Sequence, residues 1–267
     1  MKILVTGATG NIGRMVVDHL LARGADDVRA LTTNPARARL PDGVEVAVGY
    51  LREPDTLPEA FAGVDRMYLA PVLETVTEVV RLAREAGVRH IVDLSGDETT
   101  DWQPVAQAVE ASGLAWTHLY AGEFVENTTV WADQVRTASE VREPYPDAAN
   151  APVAMDDIAR VAAAVLLGDG HEGRVHTLTG PETMTRAERA RRLGVVLGRE
   201  VRFARVPLDE AAAVLEPAMG EYARWYLEGF GAMVDSPQVA TTTVADVTGE
   251  PATTFEQWAA ANADAFR

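Results

Sequence analysis

Short apolar runs alternate with stretches of helical periodicity through the first 120 residues of the chain. The apolar runs predict strands at residues 3–5, 28–31, 44–48, 67–70, 90–94 and 116–119. The periodic stretches predict helices at residues 11–23, 55–62, 73–86 and 103–112. Because consecutive parallel strands are joined by crossover helices, this alternation predicts a parallel sheet with helices packed against it.

Beyond residue 120 the pattern is less regular. Helices are predicted at residues 156–167 and 185–197, followed by a mostly helical run from residue 208 that closes with a helix at 255–266. Strands are predicted at residues 175–178 and 201–204. Asp156 is the predicted N-cap of its helix, because its carboxylate can accept free backbone N–H groups, and Gly198 is the predicted stop of the next helix.

Three glycines follow the first predicted strand, at Gly7, Gly10 and Gly13, with the spacing Gly-x-x-Gly-x-x-Gly. Gly7 permits a tight turn, Gly10 lets the backbone approach a pyrophosphate, and Gly13 lets the helix pack closely on the strand. The helix that begins there offers free N–H groups and partial positive charge to an anion. The pattern therefore predicts a dinucleotide site between the first strand and the first helix.

These elements predict an α/β fold, with a Rossmann-like doubly wound parallel sheet and a smaller, mostly helical C-terminal lobe. Residues 1–150 are expected to form the dinucleotide-binding core. Residues 151–267 are expected to form a substrate or lid lobe that is interleaved with the core as a single compact unit.

The segment after the second strand bears on which dinucleotide is bound. An NAD site often places Asp or Glu there for the ribose hydroxyls, but this chain has Thr32, Thr33 and Asn34. Arg37 and Arg39 follow, and a cation suits the 2′-phosphate of NADP. We therefore expect NADP(H) to be favoured over NAD(H).

Charge and composition narrow the class of protein further. The formal net charge of −16 argues against a nucleic-acid partner, which needs a positive surface. No apolar run approaches the roughly 18 residues of a membrane span, and the start of the chain does not resemble a signal peptide. The chain has no cysteine, so disulfides and thiolate catalysis are excluded, and the histidine spacing predicts no metal site. We expect a cytoplasmic protein with a small-molecule substrate.

Several further motifs accompany the glycine loop. They are VTGATGNIG at 5–13, NPAR at 34–37, AGVRHIV at 86–92, ASGL at 111–114, FVEN at 124–127, DIA at 157–159, LTGPE at 178–182 and FEQW at 255–258. Together they resemble the NmrA-like family of atypical short-chain dehydrogenases/reductases, over the whole chain.

The resemblance implies a dinucleotide lying along the strand ends. The implied cofactor-binding residues, including those of the glycine loop, are Gly7, Thr9, Gly10, Asn11, Ile12, Gly13, Thr32, Thr33, Asn34, Arg37, Ala70, Pro71, Ser95, Gly96, Tyr120, Gly122 and Phe124.

The chain also departs from its superfamily. Most members use Tyr-x-x-x-Lys, in which Lys lowers the pKa of the tyrosine, but Lys2 is the one lysine here. Gln103 and Gln107 stand where relatives often carry His and Glu, and Thr33 and Tyr50 replace common Arg and Asp residues. Several cofactor contacts are therefore altered together.

Candidate catalytic residues lie after the fifth and sixth strands. Tyr120 is the preferred acid, and Ser95 can hydrogen-bond a substrate carbonyl or the cofactor; a packing aromatic and a turn residue are the alternatives. Asp97 and Glu98 are either bases or part of a solvated loop. A Ser95/Asp97/His118 hydrolase triad is disfavoured because the chain has no Gly-x-Ser-x-Gly elbow.

Residues 219–230 are dense in aromatics, which either belong to the core or wall an apolar pocket for a flat substrate. The favoured function is an NAD(P)H-dependent oxidoreductase acting on a small conjugated, aromatic or quinone-like acceptor. Two alternatives stay open: a non-enzymatic dinucleotide redox sensor, and an isomerase, dehydratase or cyclase on the same fold. A homodimer or a regulatory protein partner is compatible with each of them.

Overall fold

The computed structural model describes residues 1–267, which form two compact units. Unit 1 comprises Met1–Ala121, Met155–Leu178 and Thr243–Glu250, and unit 2 comprises Gly122–Ala154, Thr179–Thr242 and Pro251–Arg267. Each unit is thus assembled from three separate stretches of chain. The two units divide the chain at other residues than the boundary expected at 150, and the assignment of a substrate lobe stays a prediction.

The elements alternate in chain order. The strands are β1 (Ile3–Val5), β2 (Val28–Thr32), β3 (Glu45–Val48), β4 (Arg66–Leu69), β5 (His90–Ser95), β6 (Ala115–Ala121), β7 (Glu140–Glu143), β8 (Ala149–Asn150), β9 (Arg174–Leu178), β10 (Met184–Thr185) and β11 (Arg202–Arg205). The α-helices are α1 (Asn11–Ala22), α2 (Pro58–Phe61), α3 (Val76–Glu85), α4 (Gln103–Ala111), α5 (Ala132–Ala138), α6 (Met155–Leu167), α7 (Arg186–Leu197), α8 (Leu208–Met219), α9 (Tyr222–Glu228), α10 (Thr243–Thr248) and α11 (Phe255–Ala261). Short 3₁₀ turns span Pro35–Arg37, Pro54–Thr56, Val125–Trp131, Gly231–Val234 and Ala263–Phe266.

Unit 1 is a seven-stranded parallel sheet in the order β3-β2-β1-β4-β5-β6-β9. One face packs on α2, α3 and α4, and α1 packs with α6 and α10 in the other layer. The strand order reverses direction between β1 and β4, which is the switch point where such sheets bind ligands at the carboxyl ends of their strands. The predicted α/β fold with a Rossmann-like doubly wound sheet is confirmed.

Two local predictions are wrong for identifiable reasons. The helix expected at 55–62 is instead a 3₁₀ turn followed by α2, because Pro58 has no N–H for an uninterrupted helix. Asp156 is not the N-cap of α6, which begins at Met155. Its carboxylate lies 2.8 Å from His19 Nε2 and so links α6 to α1.

Unit 2 contains two small two-stranded sheets, β7 with β11 and β8 with β10, and a core of aromatic and aliphatic side chains between α7 and α11. Thr185 caps α7 by accepting from the Glu188 N–H at 3.0 Å. Gly198 ends that helix in the left-handed conformation, φ +69°, and this confirms the predicted stop.

A buried ion network lies inside unit 2. Arg186, 1% exposed, donates to both carboxylate oxygens of Glu143 at 2.6 and 2.7 Å, and to Glu123 at 3.1 Å. Its guanidinium also lies 3.9 Å from the ring centre of Phe230. Burial opposes ionisation of Glu123, but Arg189 and Arg186 outweigh it and lower the pKa of Glu123 to about 2. The network therefore stays ionised at neutral pH.

The aromatic residues at 219–230 include one that belongs to the core and two that are exposed. Tyr226 is buried and donates its hydroxyl to Glu123 Oε1 at 2.7 Å, so it belongs to the core. Tyr222 and Trp225 lie on the same helix, α9, and are 64% and 61% exposed. Whether these two rings contact a substrate stays a prediction.

Three histidines in unit 1 are held neutral by burial. His90 Nε2 lies 2.9 Å from the Thr117 hydroxyl, which itself donates to the His171 carbonyl at 2.7 Å. The hydroxyl must therefore accept from His90, so Nε2 carries the proton. Burial, with a smaller effect of Arg66, lowers the pKa of His90 to about 4. Burial also lowers the pKa of His171 and of His176.

This arrangement predicts acid sensitivity. In an unfolded chain His90 becomes protonated below about pH 6.5, whereas in the folded protein it stays neutral down to about pH 4. The free energy of unfolding should therefore fall across that interval, with His90 contributing about 3 kcal/mol. In a His90→Gln variant, whose amide can still donate to Thr117, the fall should be shallower. Urea denaturation at several pH values measures both slopes, and equal slopes would contradict the assignment.

Candidate functional site

The glycine loop connects β1 to α1 with little free space. Gly7 has φ +60°, and a Cβ there would lie 2.9 Å from the Cβ of Ala70. A Cβ on Gly13 would overlap the carbonyl of Gly7, so the first turn of α1 rests directly on the loop backbone. The Gly10 N–H donates to the same carbonyl at 2.9 Å. The roles expected for the first and third glycines therefore have a steric basis.

The N-terminus of α1 has no side-chain cap. Its N-cap is Gly10, so no side chain caps the helix, and no acidic residue stands in the first turn. Thr9, Gly10 and Asn11 are exposed, and Ile12 is partly exposed. Uncapped N–H groups at a helix start favour an anion, so this end of the helix fits a dinucleotide phosphate.

Thr6, which the sequence analysis did not single out, holds the switch point together. Its hydroxyl donates to the Tyr68 carbonyl at 3.0 Å and accepts from the Ala70 N–H at 2.8 Å. It thus fixes the end of β1 to the end of β4, where Ala70 and Pro71 lie partly exposed. A polar residue directly after an apolar strand was the available signal.

The end of β2 presents polar groups to solvent. Thr32 is buried and accepts from the Asn34 N–H at 3.1 Å, whereas Thr33, Asn34 and Arg37 are exposed. Arg14, in the first turn of α1, donates to the Arg39 carbonyl at 2.6 Å. Arg14 therefore adds a second cation near the segment that carries Arg37, and sequence reasoning missed it because an arginine on a helix gives no specific signal.

The ends of β5 and β6 bring the two catalytic candidates together. Ser95 and Tyr120 are direct partners in the strand register. Ser95 is 7% exposed, and its hydroxyl interacts with the Asp93 carboxyl group without forming a hydrogen bond of good geometry. A Cβ on Gly96 would overlap the Thr100 hydroxyl, so a larger residue there would require the Thr100 side chain to move. Burial, and then the carboxylates of Asp93, Glu110 and Asp97, raise the pKa of Tyr120.

His118 pairs with an acid other than the one that the triad hypothesis requires. Its Nδ1 lies 2.7 Å from Oδ2 of Asp93, and both side chains are fully buried. Asp97 instead accepts from the Thr99 N–H at 2.9 Å in the following turn. The Ser95/Asp97/His118 triad is therefore not formed.

The remaining cofactor candidates, Gly122 and Phe124, belong to unit 2. A Cβ on Gly122 would lie 2.6 Å from Nε2 of Gln238, so this glycine is needed for the close approach of that amide. Phe124 pairs with Val153 in a single parallel bridge. Their part in cofactor binding stays a prediction.

Comparison with known proteins agrees with these features. Residues 7–169 match the family model described as NAD(P)H-binding. The chain is 38% identical to a (4-alkanoyl-5-oxo-2,5-dihydrofuran-3-yl)methyl phosphate reductase of Streptomyces griseus and 34% identical to an NAD(P)H azoreductase of Xenophilus azovorans, with 99% of each chain covered in both cases.

Among solved structures, the triphenylmethane reductase of Citrobacter sp. complexed with NADP(H) has a TM-score of 0.87 at 24% identity. That likeness covers 98% of this chain and 100% of the other and supports the Rossmann fold. None of the helices in the present structure combines the length and the apolar character that a membrane span requires. The chain belongs to the NAD(P)H-binding family of NmrA-like proteins.

Proposed function

We propose that the protein is an NAD(P)H-dependent reductase of small conjugated or aromatic acceptors such as quinones. The observation that carries the proposal is the N-terminus of α1, which has no side-chain cap. It lies at the switch point of a parallel sheet, where Gly13 of the helix packs against Gly7 of the loop. The names of the two relatives described above, both reductases, support the reaction class. Reduced nicotinamide supplies a hydride when bound.

The residues that would hold the dinucleotide line the carboxyl ends of the strands. The phosphates would be bound by the N–H groups of the loop, with the rest of the cofactor following the ends of β2, β4, β5 and β6. We propose as contacts Gly7, Thr9, Gly10, Asn11, Ile12, Gly13, Thr32, Thr33, Asn34, Arg37, Ala70, Pro71, Ser95, Gly96, Tyr120, Gly122 and Phe124.

Ser95 and Tyr120 are the proposed proton donors. Because burial and neighbouring carboxylates raise the pKa of Tyr120, this phenol stays protonated at neutral pH and can act as an acid rather than as a base. No lysine stands near it, since Lys2 lies at the start of β1. A conjugated acceptor suits this arrangement because its reduction needs less assistance from an acid than that of an isolated carbonyl.

A preference for NADP(H) is proposed from the end of β2. No acidic residue stands at Thr32, Thr33 or Asn34 to bind free ribose hydroxyls, and Arg37 is exposed in the turn that follows. Arg14 contacts the same segment through the Arg39 carbonyl. Both guanidiniums are suited to a 2′-phosphate.

The reductase proposal predicts that NADPH is oxidised only when an acceptor is present. Purified protein mixed with NADPH and a naphthoquinone should consume both in equal amounts, as followed by nicotinamide absorbance and by product analysis. Mixtures without protein correct for spontaneous reduction. Tight NADPH binding without turnover of any quinone, enone or azo compound would favour a redox sensor instead.

The packing of Gly13 predicts loss of cofactor binding in a Gly13→Ala variant. The added methyl group must displace the Gly7 carbonyl, so NADPH affinity should fall at least tenfold, which is about 1.4 kcal/mol. Gly24→Ala is the matched control. It strains the end of the same helix, at φ +82°, but meets no atom within 4 Å. Fluorescence quenching and thermal unfolding separate binding from stability; equal losses of affinity in both variants would contradict the role of the loop.

The NADP(H) preference predicts a selective effect of Arg37→Ala. Removal of the guanidinium should weaken NADPH binding about tenfold, because a charge-assisted contact is lost, and change NADH binding less than twofold. Arg23→Ala, which removes an exposed charge at the other end of α1, should change neither. Calorimetry with both cofactors measures the ratio, and an unchanged ratio in Arg37→Ala would contradict the proposed contact.

A further inference from the structure

A second polar row lies beneath the two proton donors. Asp93 and His118 are partners in the β5–β6 register, two residues before Ser95 and Tyr120 on the same face of the sheet. Asp93 Oδ2 lies 2.7 Å from His118 Nδ1, and neither side chain is exposed. The proposed function makes no use of this pair.

The pair is not a closed structural ion pair, because its polar atoms do not all form good hydrogen bonds. Asp93 Oδ1 and Ser95 Oγ are buried without a well-formed hydrogen bond, and the contact of His118 Nε2 is Glu110 Oε1 at 3.4 Å. Leaving such atoms unpaired is unfavourable, and purely structural clusters normally satisfy them. Burial raises the pKa of Asp93, and smaller opposing interactions with His118 and with the Ser95 hydroxyl place that hydroxyl beside the carboxyl group. Asp93 Oδ1 and Ser95 Oγ thus lie on neighbouring side chains near the strand end.

The other end of the row reaches towards solvent. Glu110 of α4 is about half exposed, and its Oε1 lies 3.4 Å from His118 Nε2. A doubly protonated His118 would donate to both carboxylates, whereas a neutral ring can donate to only one. The remaining titratable groups that interact with Asp93 are Tyr68 on β4 and Tyr120 on β6. Asp97, after β5, interacts with Tyr120.

We infer that Asp93, held in place by His118, forms a proton relay with Ser95 that delivers a proton to the reduced substrate. Asp93 and His118 are positioning residues, since neither is placed to touch the substrate. The inference rests on the proposed reductase function.

The relay balances with NAD(P)H as the reductant. A quinone or enone that has gained a hydride carries an oxyanion, which takes the proton of the Ser95 hydroxyl. Ser95 Oγ takes a proton from Asp93 Oδ1, while His118 Nδ1 continues to donate to Asp93 Oδ2. After the product has left, Asp93 Oδ1 regains a proton from solvent through Ser95. Each side chain ends as it began, and the net reaction consumes one hydride and one proton.

Two aromatic rings hold His118 in place. The ring of Tyr120 is nearly parallel to that of His118, at 13° and 5.9 Å between centroids, and Trp116 stacks on the opposite face of His118 at 4.1 Å. The imidazole is therefore held in one orientation, with its two nitrogens directed at Asp93 and Glu110. This fixed ring keeps Asp93 Oδ2 paired with Nδ1 and leaves Oδ1 as the oxygen that exchanges its proton with Ser95.

Two acceptors that differ in their need for a proton test the inference. A quinone takes a hydride and a proton, whereas a cationic triphenylmethane dye becomes neutral by taking a hydride alone. The Asp93→Asn variant keeps the size of the side chain and an oxygen for His118 Nδ1, but cannot carry a proton. We expect its kcat with the quinone to fall about tenfold to a hundredfold, with a flattened pH profile and unchanged NADPH affinity. Its kcat with the dye should change less than twofold.

The outcomes separate the relay from the reductase function. Equal losses with both acceptors, or no loss with either, would overturn the relay and leave the reductase function intact. A wild type that reduces only the dye would do the same. A wild type that reduces neither acceptor would overturn both proposals.

A measurement without turnover completes the test. In the protein without cofactor, infrared titration should show a buried carboxyl group that takes up a proton in the wild type and is missing in Asp93→Asn. Its absence from the wild type would overturn the relay. Asp93→Ser serves if the first variant does not fold, because its hydroxyl can accept from His118 Nδ1 but supplies no acidic proton.

Discussion

The contact between Gly13 and Gly7 is the constraint on which the site depends. Because no side chain separates them, the first turn of α1 lies against the end of β1, and its free N–H groups lie at the switch point of the sheet. Thr6 fixes the neighbouring end of β4 through two hydrogen bonds. A helix start, a glycine turn and two strand ends therefore form one rigid edge, and the polar residues of β5 and β6 lie along the same edge.

The sheet was predictable because strands buried on both faces appear as short apolar runs, and glycines mark the turns between elements. The prediction of one continuous helix at 55–62 was wrong because the periodicity of the apolar residues does not show the break at Pro58. The glycine loop was likewise readable from spacing alone. The Asp93–His118 pair was not, because its members lie 25 residues apart and meet only through the register of two parallel strands.

The chemistry of the edge differs from that of a lysine-assisted reductase. A lysine beside a tyrosine lowers the pKa of the phenol, whereas here burial and three carboxylates raise the pKa of Tyr120. Such a phenol is a weak acid that holds its proton until a strongly basic oxyanion forms beside it. The absence of a lysine therefore accompanies a consistent change in the electrostatics around the site, rather than the loss of one residue from an otherwise ordinary arrangement.

The position of Lys2 has a practical consequence. Its amine is paired with Asp27 and Glu45 at the beginning of β1, at the opposite end of the strands from the glycine loop. All other basic side chains are arginine or histidine, so an amine-reactive support would find this single side-chain amine. A sensor surface coupled to Lys2 would therefore attach every protein molecule through the beginning of β1, at the end of the strand opposite the glycine loop.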